Sequence, residues 1–158
     1  MSVESVNALF AREGLSEAVL FSPTVSDTVE HAAQLLGCEP RQIAKTMSLL
    51  LGEGAVVVVA SGDAKIDNVK YKAAFSAKAK MVPFEQVEAL TGHLPGGVCP
   101  FALKKNVPVY LDESLKRFEV VFTGGGDEHH TVRVTLPQLE RLSGSSGWID
   151  VCTGWQEE

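Results

Sequence analysis

Two apolar segments of strand length, joined by a short turn that contains two glycines, constrain the fold of this chain more than any other feature. The segments are residues 45–51 and 55–61, and Gly52-Glu53-Gly54 connects them. Glycines in so short a connection permit the tight reversal that joins two antiparallel strands. The sequence therefore predicts a β-hairpin within residues 45–61.

Helices and further strands are predicted on both sides of this hairpin. Apolar residues recur at helical spacing, with capping or breaking residues at the ends, in residues 3–10, 29–36 (with Asp27 and Glu30 at capping-box spacing), 67–75, 83–91 and 137–142. A short helical turn is expected at Pro40, and strands at residues 18–21, 107–111, 120–123 and 129–134. Because hairpins are mixed with single helices, without regular βαβ alternation, we expect an α+β fold with a mixed, curled sheet.

The length of 158 residues fits one domain, and no repeat or linker divides it, so we expect a single domain over residues 1–158. No segment approaches the ~20 apolar residues that span a bilayer, and the N-terminus lacks the pattern of a secretory signal. Cys38, Cys99 and Cys152 are an odd number at wide spacing, which fits a reducing compartment. We therefore expect a cytoplasmic protein that contacts no membrane, and no metal-ligand spacing indicates a metal site.

The net charge of -6 limits how this chain could bind nucleic acid, since proteins that follow a phosphate backbone usually carry a basic face. Five lysines nevertheless fall within one stretch, at positions 65, 70, 72, 78 and 80. They are either solvated lysines of helix faces or a contact to a few phosphates. Any contact with nucleic acid should therefore be small, such as the end of a strand.

Two polar residues stand at the start of otherwise apolar strand faces. Strand side chains alternate, so Lys45 shares a face with Met47 and Leu49, and His130 shares a face with Val132. Lys45 either points inward, where its ammonium awaits an anionic ligand, or extends to water from the strand end. His130 is either a pocket residue or a hydrogen-bonded histidine of the core.

The segment Pro95-Gly96-Gly97-Val98-Cys99-Pro100-Phe101, here called the glycine-proline loop, combines two rigid prolines with two permissive glycines. Such a loop can bring backbone N–H groups against a ligand oxygen and stabilise an oxyanion. The alternative is a rigid surface connection. Cys99 could also be a nucleophile with His130 as its base, although no local pattern requires that pairing.

These residues, in their order along the chain, resemble the YbaK/EbsC family, the free-standing relatives of the prolyl-tRNA synthetase editing domain. The similarity covers residues 27–142, and the ordered set of motifs carries it rather than any one of them. The set comprises Thr28-Val29-Glu30-His31-Ala32-Ala33, Ile43-Ala44-Lys45-Thr46, Ala60-Ser61-Gly62-Asp63 with Asp67, Val87-Glu88-Ala89-Leu90-Thr91-Gly92, the glycine-proline loop, Leu111-Asp112-Glu113-Ser114-Leu115 and Leu136-Pro137-Gln138-Leu139.

The resemblance implies a barrel-like sheet flanked by helices, and hydrolysis in trans of the ester that links a wrong amino acid to tRNA. The family's key lysine falls on Lys45, its G-x-x-x-P loop on residues 96–100 and its pocket histidine on His130. As catalytic residues the resemblance indicates Lys45, Gly96 and Gly97. As substrate-binding residues we expect Thr46, Val98, Cys99, Pro100 and His130.

The predicted function is therefore that of a trans-editing deacylase, with tRNA-Pro carrying a small wrong amino acid as the first candidate substrate. The expected partners are the acceptor end of the charged tRNA and an aminoacyl-tRNA synthetase, without DNA, metal or cofactor. Two alternatives stay open. One is a cysteine-dependent hydrolase of a small ester or thioester, and the other is a non-catalytic module that binds an aminoacyl ligand or a synthetase.

Overall fold

The helices of this protein lie close to their predicted positions in a computed structural model, which describes residues 2–24 and 29–155. In chain order they are α1 (Ser2–Arg12), α2 (Val29–Leu36), α3 (Asn68–Phe75), α4 (Val87–Thr91) and α5 (Leu136–Leu142). The Asp67 carboxylate accepts hydrogen bonds from the N–H groups of Val69 and Lys70 and so begins α3 as predicted. The other predicted cap, Asp27, lies outside the described residues.

The strands of the described residues form three sheets. They are β1 (Val19–Phe21), β2 (Ala44–Leu51), β3 (Gly54–Ser61), β4 (Lys65–Ile66), β5 (Val109–Asp112), β6 (Val120–Gly124), β7 (His130–Thr135), β8 (Gly147–Ile149) and β9 (Cys152–Thr153). The predicted hairpin is confirmed, because β2 and β3 pair in antiparallel register from Ala44–Ser61 to Leu51–Gly54. The larger sheet has the order β2-β3-β5-β8, the second β1-β7-β6, and β4 pairs with β9.

The sheet architecture is mixed, which confirms the α+β prediction. Strands β3 and β5, and β5 and β8, pair in parallel, whereas the pairs of the second sheet are antiparallel. A single parallel bridge between Ile43 and Phe122 connects the two larger sheets, and Gln42 Nε2 donates to the Val120 carbonyl over 3.4 Å. The sheets therefore curl towards a barrel without closing into one.

Both faces of the β2–β3 hairpin are covered, so each strand contributes to two cores. Val57 and Val59 pack with the valines of β7 and with Phe101, whereas Val56 and Val58 pack around Tyr71 of α3. All four valines are fully buried, and each contributes about 1.5–3 kcal/mol of hydrophobic stabilisation. Successive residues of β2 consequently face opposite sides of a covered sheet, which decides where the predicted site residues lie.

Candidate active site

Thr46 and Ser48, on one face of β2, line a cavity of about 400 Å³ together with the glycine-proline loop. The remaining lining is apolar apart from backbone, and comes from the segment before α4, from α4 and from the loop: Met81, Val82, Phe84, Val87, Pro95, Gly96 and Val98. We call this cavity the loop pocket. It brings together three residues of the predicted site, Thr46, Gly96 and Val98.

One hydroxyl group of the loop pocket is buried without a hydrogen-bond partner among the described residues. This atom is Thr46 Oγ1. Ser48, the second hydroxyl residue of the lining, is only 6% exposed, and its backbone carbonyl accepts a hydrogen bond from Val82 N–H over 3.0 Å. Buried hydroxyls are normally paired, so the free Thr46 Oγ1 marks a polar spot beside an apolar cavity.

Some, but not all, of the backbone N–H groups of the glycine-proline loop have a hydrogen-bond partner among the described residues. Gly97 N–H donates to the Leu94 carbonyl over 2.9 Å, so it is occupied within the loop. The N–H groups of Gly96, Val98 and Cys99 make no hydrogen bond to a described residue. Gly96 has a φ of +86°, which favours glycine at this position. The available donors are therefore the neighbours of Gly97 rather than Gly97 itself.

Gly97 instead allows the loop to pack directly against the turn between β6 and β7. A Cβ atom at Gly97 would collide with the carbonyl oxygen of Gly126. On the same turn, a Cβ atom at Gly125 would lie 3.0 Å from the Cβ of His130. The loop therefore lies next to the β6–β7 hairpin, which carries Asp127 and His130. Only glycine at position 97 permits this close approach of the two backbones.

His130 lies at the open end of the core, on the face that strand alternation predicts. Val132 and Val134, which share its face, are buried. Its Nδ1 lies 2.7 Å from Asp127 Oδ1. Burial raises the pKa of Asp127, but its hydrogen bonds to His130 and to the His129 N–H outweigh this, and its pKa lies below the usual value. His130 does not line the loop pocket, and the ring of Phe21 lies 5.3 Å from its own.

Lys45 does not line the loop pocket, because its side chain leaves β2 on the face opposite to Thr46. It lines a second cavity, here called the lysine pocket, with Met47, Leu49, Lys65, Ile66, Asn68, Ala79 and Met81. The physical reason is strand alternation across a sheet that is covered on both sides, since the face of Lys45 belongs to the core around Tyr71. Met81 lines both pockets.

The ammonium of Lys45 is half-buried and has no hydrogen-bond or ion-pair partner among the residues that the structure describes. Burial lowers the pKa of Lys45, and the nearby Cys152 and Asp63 act in the opposite direction. The half-buried ammonium lies between the two positions that the sequence left open, the buried one and the solvated one.

Cys99 does not have the surroundings of a nucleophile. Its side chain is fully buried, and burial raises the pKa of its thiol to about 12. The thiol donates to the Phe101 carbonyl over 3.6 Å, and the nearby imidazole is that of His93, whose Nε2 lies 3.6 Å from Sγ. Pro100 is buried as well, and neither residue lines the loop pocket.

His93 is a buried residue next to the glycine-proline loop whose contact with that loop the sequence did not reveal. It is fully buried, and its Nε2 lies 2.7 Å from the Phe101 carbonyl oxygen. Because a carbonyl can only accept, Nε2 carries the proton, and this nitrogen cannot serve Cys99 as a base. Burial lowers the pKa of His93, so the ring is neutral. The contact joins the segment just before the glycine-proline loop to Phe101, the last residue of that loop. Only the position of His93 between Gly92 and Pro95 could have indicated this contact from the sequence.

Residues 2–24 and 29–155 offer neither a metal-ion cluster nor a membrane-spanning helix. No group of three or more His, Cys, Asp or Glu side chains is arranged in this part of the chain to hold a metal ion. None of the helices in these residues has the length and apolar character needed to cross a membrane.

The family is shown by comparison with known proteins. The model of the "Aminoacyl-tRNA editing domain" matches residues 24–142, which include the loop pocket, Lys45 and His130. The chain therefore belongs to the family of aminoacyl-tRNA editing domains, which confirms the resemblance stated from its motifs.

Three particular proteins illustrate this relationship. Protein YwhH of Bacillus subtilis, described as uncharacterized, is 43% identical over 158 residues, covering 99% of this chain and all of that protein. The Enterococcus faecalis protein named "Putative Cys-tRNA(Pro)/Cys-tRNA(Cys) deacylase EbsC" is 33% identical over 63% of this chain and 62% of its own. A crystal structure described as that of "a putative trans-editing enzyme for prolyl tRNA synthetase" is 29% identical, covers 97% of this chain and 98% of that one, and superposes with a TM-score of 0.86.

Proposed function

We propose that this protein hydrolyses the ester bond between a wrong amino acid and a tRNA, acting in trans after a synthetase error. The observation that carries the proposal is the loop pocket, in which free backbone N–H groups of Gly96 and Val98 border an apolar cavity with two hydroxyls. A cavity of this size can hold an aminoacyl group. Membership of the editing-domain family supports the same reaction.

The chemistry requires only groups that the loop pocket offers and the substrate itself. Water adds to the ester carbonyl carbon, and the carbonyl oxygen gains negative charge that N–H donors such as those of Gly96 and Val98 can stabilise. The tetrahedral intermediate then breaks its bond to the ribose oxygen, which takes up a proton. The products are the free amino acid and a tRNA with a free ribose hydroxyl. The adjacent ribose hydroxyl of the substrate can orient the attacking water.

Lys45 has a separate task in this proposal, because it faces the lysine pocket. We assign its ammonium to a phosphate of the terminal nucleotides, which carry the aminoacyl group and lie outside the loop pocket. Lys65 lines the same pocket and adds a second positive charge. Few phosphates are contacted in this arrangement, which reconciles a net charge of -6 with an RNA substrate.

The first candidate substrate is tRNA-Pro that carries a small wrong amino acid. The name of the Enterococcus relative specifies cysteinyl-tRNA, and the similar crystal structure is described with reference to prolyl-tRNA synthetase. Synthetases discriminate poorly between side chains that differ by one methylene, about 1–3 kcal/mol, so a second pocket that sorts by size is needed. Such a reaction would take place in the cytoplasm, where tRNAs are charged, and a synthetase could serve as a partner.

A panel of mischarged tRNAs tests this proposal. The purified full-length protein is incubated with tRNA-Pro charged with alanine, serine, cysteine or proline, and release of the labelled amino acid is followed. We expect rapid release of at least one of the three wrong amino acids and no release of proline beyond the spontaneous rate. Spontaneous rates with every substrate would overturn the proposed function, whereas binding of charged tRNA without hydrolysis would favour the non-catalytic alternative.

A further inference from the structure

We propose that a group of lysines on and around α3 binds the phosphates of the single-stranded end of the tRNA, next to the terminal nucleotide; the inference rests on the proposed deacylase function. The group, here called the lysine strip, consists of Lys65, Lys72 and Lys78. The sequence left these lysines open between solvated residues of a helix face and a contact to a few phosphates. The proposal extends the contact of Lys45 with one phosphate to the nucleotides that precede it.

The lysine strip is continuous with the lysine pocket. A further cavity of about 460 Å³ lies along one side of α3 and is lined by Asn68, Val69, Lys72, Ala73 and Lys78. Asn68 also lines the lysine pocket, so the two cavities meet at the first residue of α3. A nucleotide chain that leaves the lysine pocket can therefore continue past Asn68 to Lys72 and Lys78.

The ammonium groups of the lysine strip are available to an anion. Lys65, Lys72 and Lys78 are exposed, and none of their side chains has a hydrogen-bond or ion-pair partner among the described residues. The neighbouring Lys70 differs, because its Nζ lies 3.0 Å from Asp150 Oδ1 and is occupied within the fold. The strip therefore consists of the lysines that the fold itself does not use.

The charge around the lysine strip suits a short stretch of RNA backbone. Asp67 is the only acidic residue within residues 65–80, and its carboxylate accepts two N–H groups of α3. The strip is thus a local positive surface on a chain whose net charge is -6, as a contact to a few phosphates requires. Val69 is 80% exposed beside these lysines, where it can pack against a ribose or a base. Continuity with the proposed nucleotide site favours single-stranded RNA over an acidic protein segment.

The double variant Lys72→Gln/Lys78→Gln tests the inference with a mischarged tRNA that the wild type hydrolyses. We expect KM to rise by about tenfold with kcat within about twofold, because contacts remote from the ester bind substrate and transition state alike. The slope of log kcat/KM against log salt concentration should become less steep by roughly 1.4, since each single-stranded phosphate contact contributes about 0.7. Lys105→Gln/Arg133→Gln removes two exposed charges outside both cavities and is the matched control. An unchanged KM and salt slope in the strip variant would overturn the inference and leave the deacylase function intact.

A truncated substrate assigns the contact to the RNA chain. The same amino acid esterified to adenosine lacks the preceding nucleotides, so the strip variant and the wild type should hydrolyse it at equal rates. An equal loss with this substrate and with the tRNA would overturn the inference, because the lysines would then act on the reacting group or on the fold. Tighter binding of a labelled polyglutamate peptide than of the labelled RNA end would overturn it in favour of an acidic protein partner. Hydrolysis of no charged tRNA by the wild type would overturn the proposed function and this inference with it.

Discussion

Lys45 and Thr46 are consecutive residues of β2, yet they open onto two different cavities on opposite faces of the sheet. The backbone N–H groups to which the proposal assigns stabilisation of the ester carbonyl belong to the lining of the Thr46 side, while the ammonium of Lys45 lies on the other side. In the proposed reaction, binding of the nucleotide and binding of the aminoacyl group are therefore separated by the thickness of one strand.

Replacement of Lys45 by alanine tests this separation. We expect kcat/KM for a mischarged tRNA to fall by at least about a hundredfold, because a charge-assisted phosphate contact and the orientation that it provides are both lost. The thermal midpoint should be retained, since the ammonium has no partner among the described residues. Lys105→Ala, at an exposed lysine, is the control. Wild-type turnover by Lys45→Ala would end this role for the lysine.

Cys99→Ser should remain active. The thiol is buried in the core and does not line the loop pocket, and burial raises its pKa to about 12, so a thiolate is not available at neutral pH. We expect kcat/KM within about threefold of the wild-type value and no loss of activity after treatment with iodoacetamide. Complete inactivation of the serine variant, or inactivation by iodoacetamide that substrate prevents, would restore the cysteine-hydrolase alternative.

Gly97→Ala should damage both the stability and the activity of the protein. The new methyl would meet the carbonyl of Gly126, and both are backbone positions that cannot move aside freely. We expect a loss of about 1–3 kcal/mol in the free energy of unfolding and a larger fractional loss of deacylation, because the loop must shift. Gly54→Ala is the control, since no atom lies within 4 Å of its Cβ position. Equal urea midpoints for the two variants would contradict the close packing of the loop.

His93→Phe should loosen the glycine-proline loop. Phenylalanine fills a similar volume but cannot donate to the Phe101 carbonyl, so we expect a loss of about 1–3 kcal/mol in the free energy of unfolding. Burial lowers the pKa of His93 in the folded protein. Below about pH 6.5 the histidine is therefore protonated in the unfolded chain while it is still neutral in the folded one. The wild type should therefore lose more stability between about pH 7.5 and about pH 5 than the phenylalanine variant does. Identical pH dependence in urea titrations would contradict a buried neutral histidine.

Asp63→Asn should change the acid stability. Burial raises the pKa of Asp63, but hydrogen bonds from Arg117 and Ser61, at 2.7 Å each to Oδ1, outweigh it and place the pKa below its usual value. The ion pair therefore stabilises the fold above about pH 4, and this contribution is lost as the pH falls through the lowered pKa. We expect the difference in unfolding free energy between wild type and variant to shrink on acidification. A difference that is constant down to pH values of about 2 would contradict this.

The hairpin, the helix starts and the α+β class were predictable from the sequence because they depend on local patterns. The turn at residues 52–54 and the cap at Asp67 act within a few residues, and both are present in the structure. The strand face on which His130 lies was predictable as well, because Val132 and Val134 share that face and both pack in the same core.

The place of Lys45 was not predictable, because alternation assigns residues to two faces without saying which face meets the glycine-proline loop. Both faces of β2 proved to be covered, so an apolar row did not identify the interior of the barrel-like sheet. His93 was missed for a related reason. Its contact with Phe101 depends on the path of the glycine-proline loop, which the periodicity of apolar residues does not predict.

Met81 is 55% exposed and forms part of the wall of both cavities. Its unbranched thioether side chain has three rotatable bonds, so the partition between the two chambers is adjustable. If the two cavities bind as proposed, a substitution at position 81 is expected to change the fit of the nucleotide and of the amino acid together. A change in the binding properties of only one cavity therefore requires substitution of a residue that lines that cavity alone.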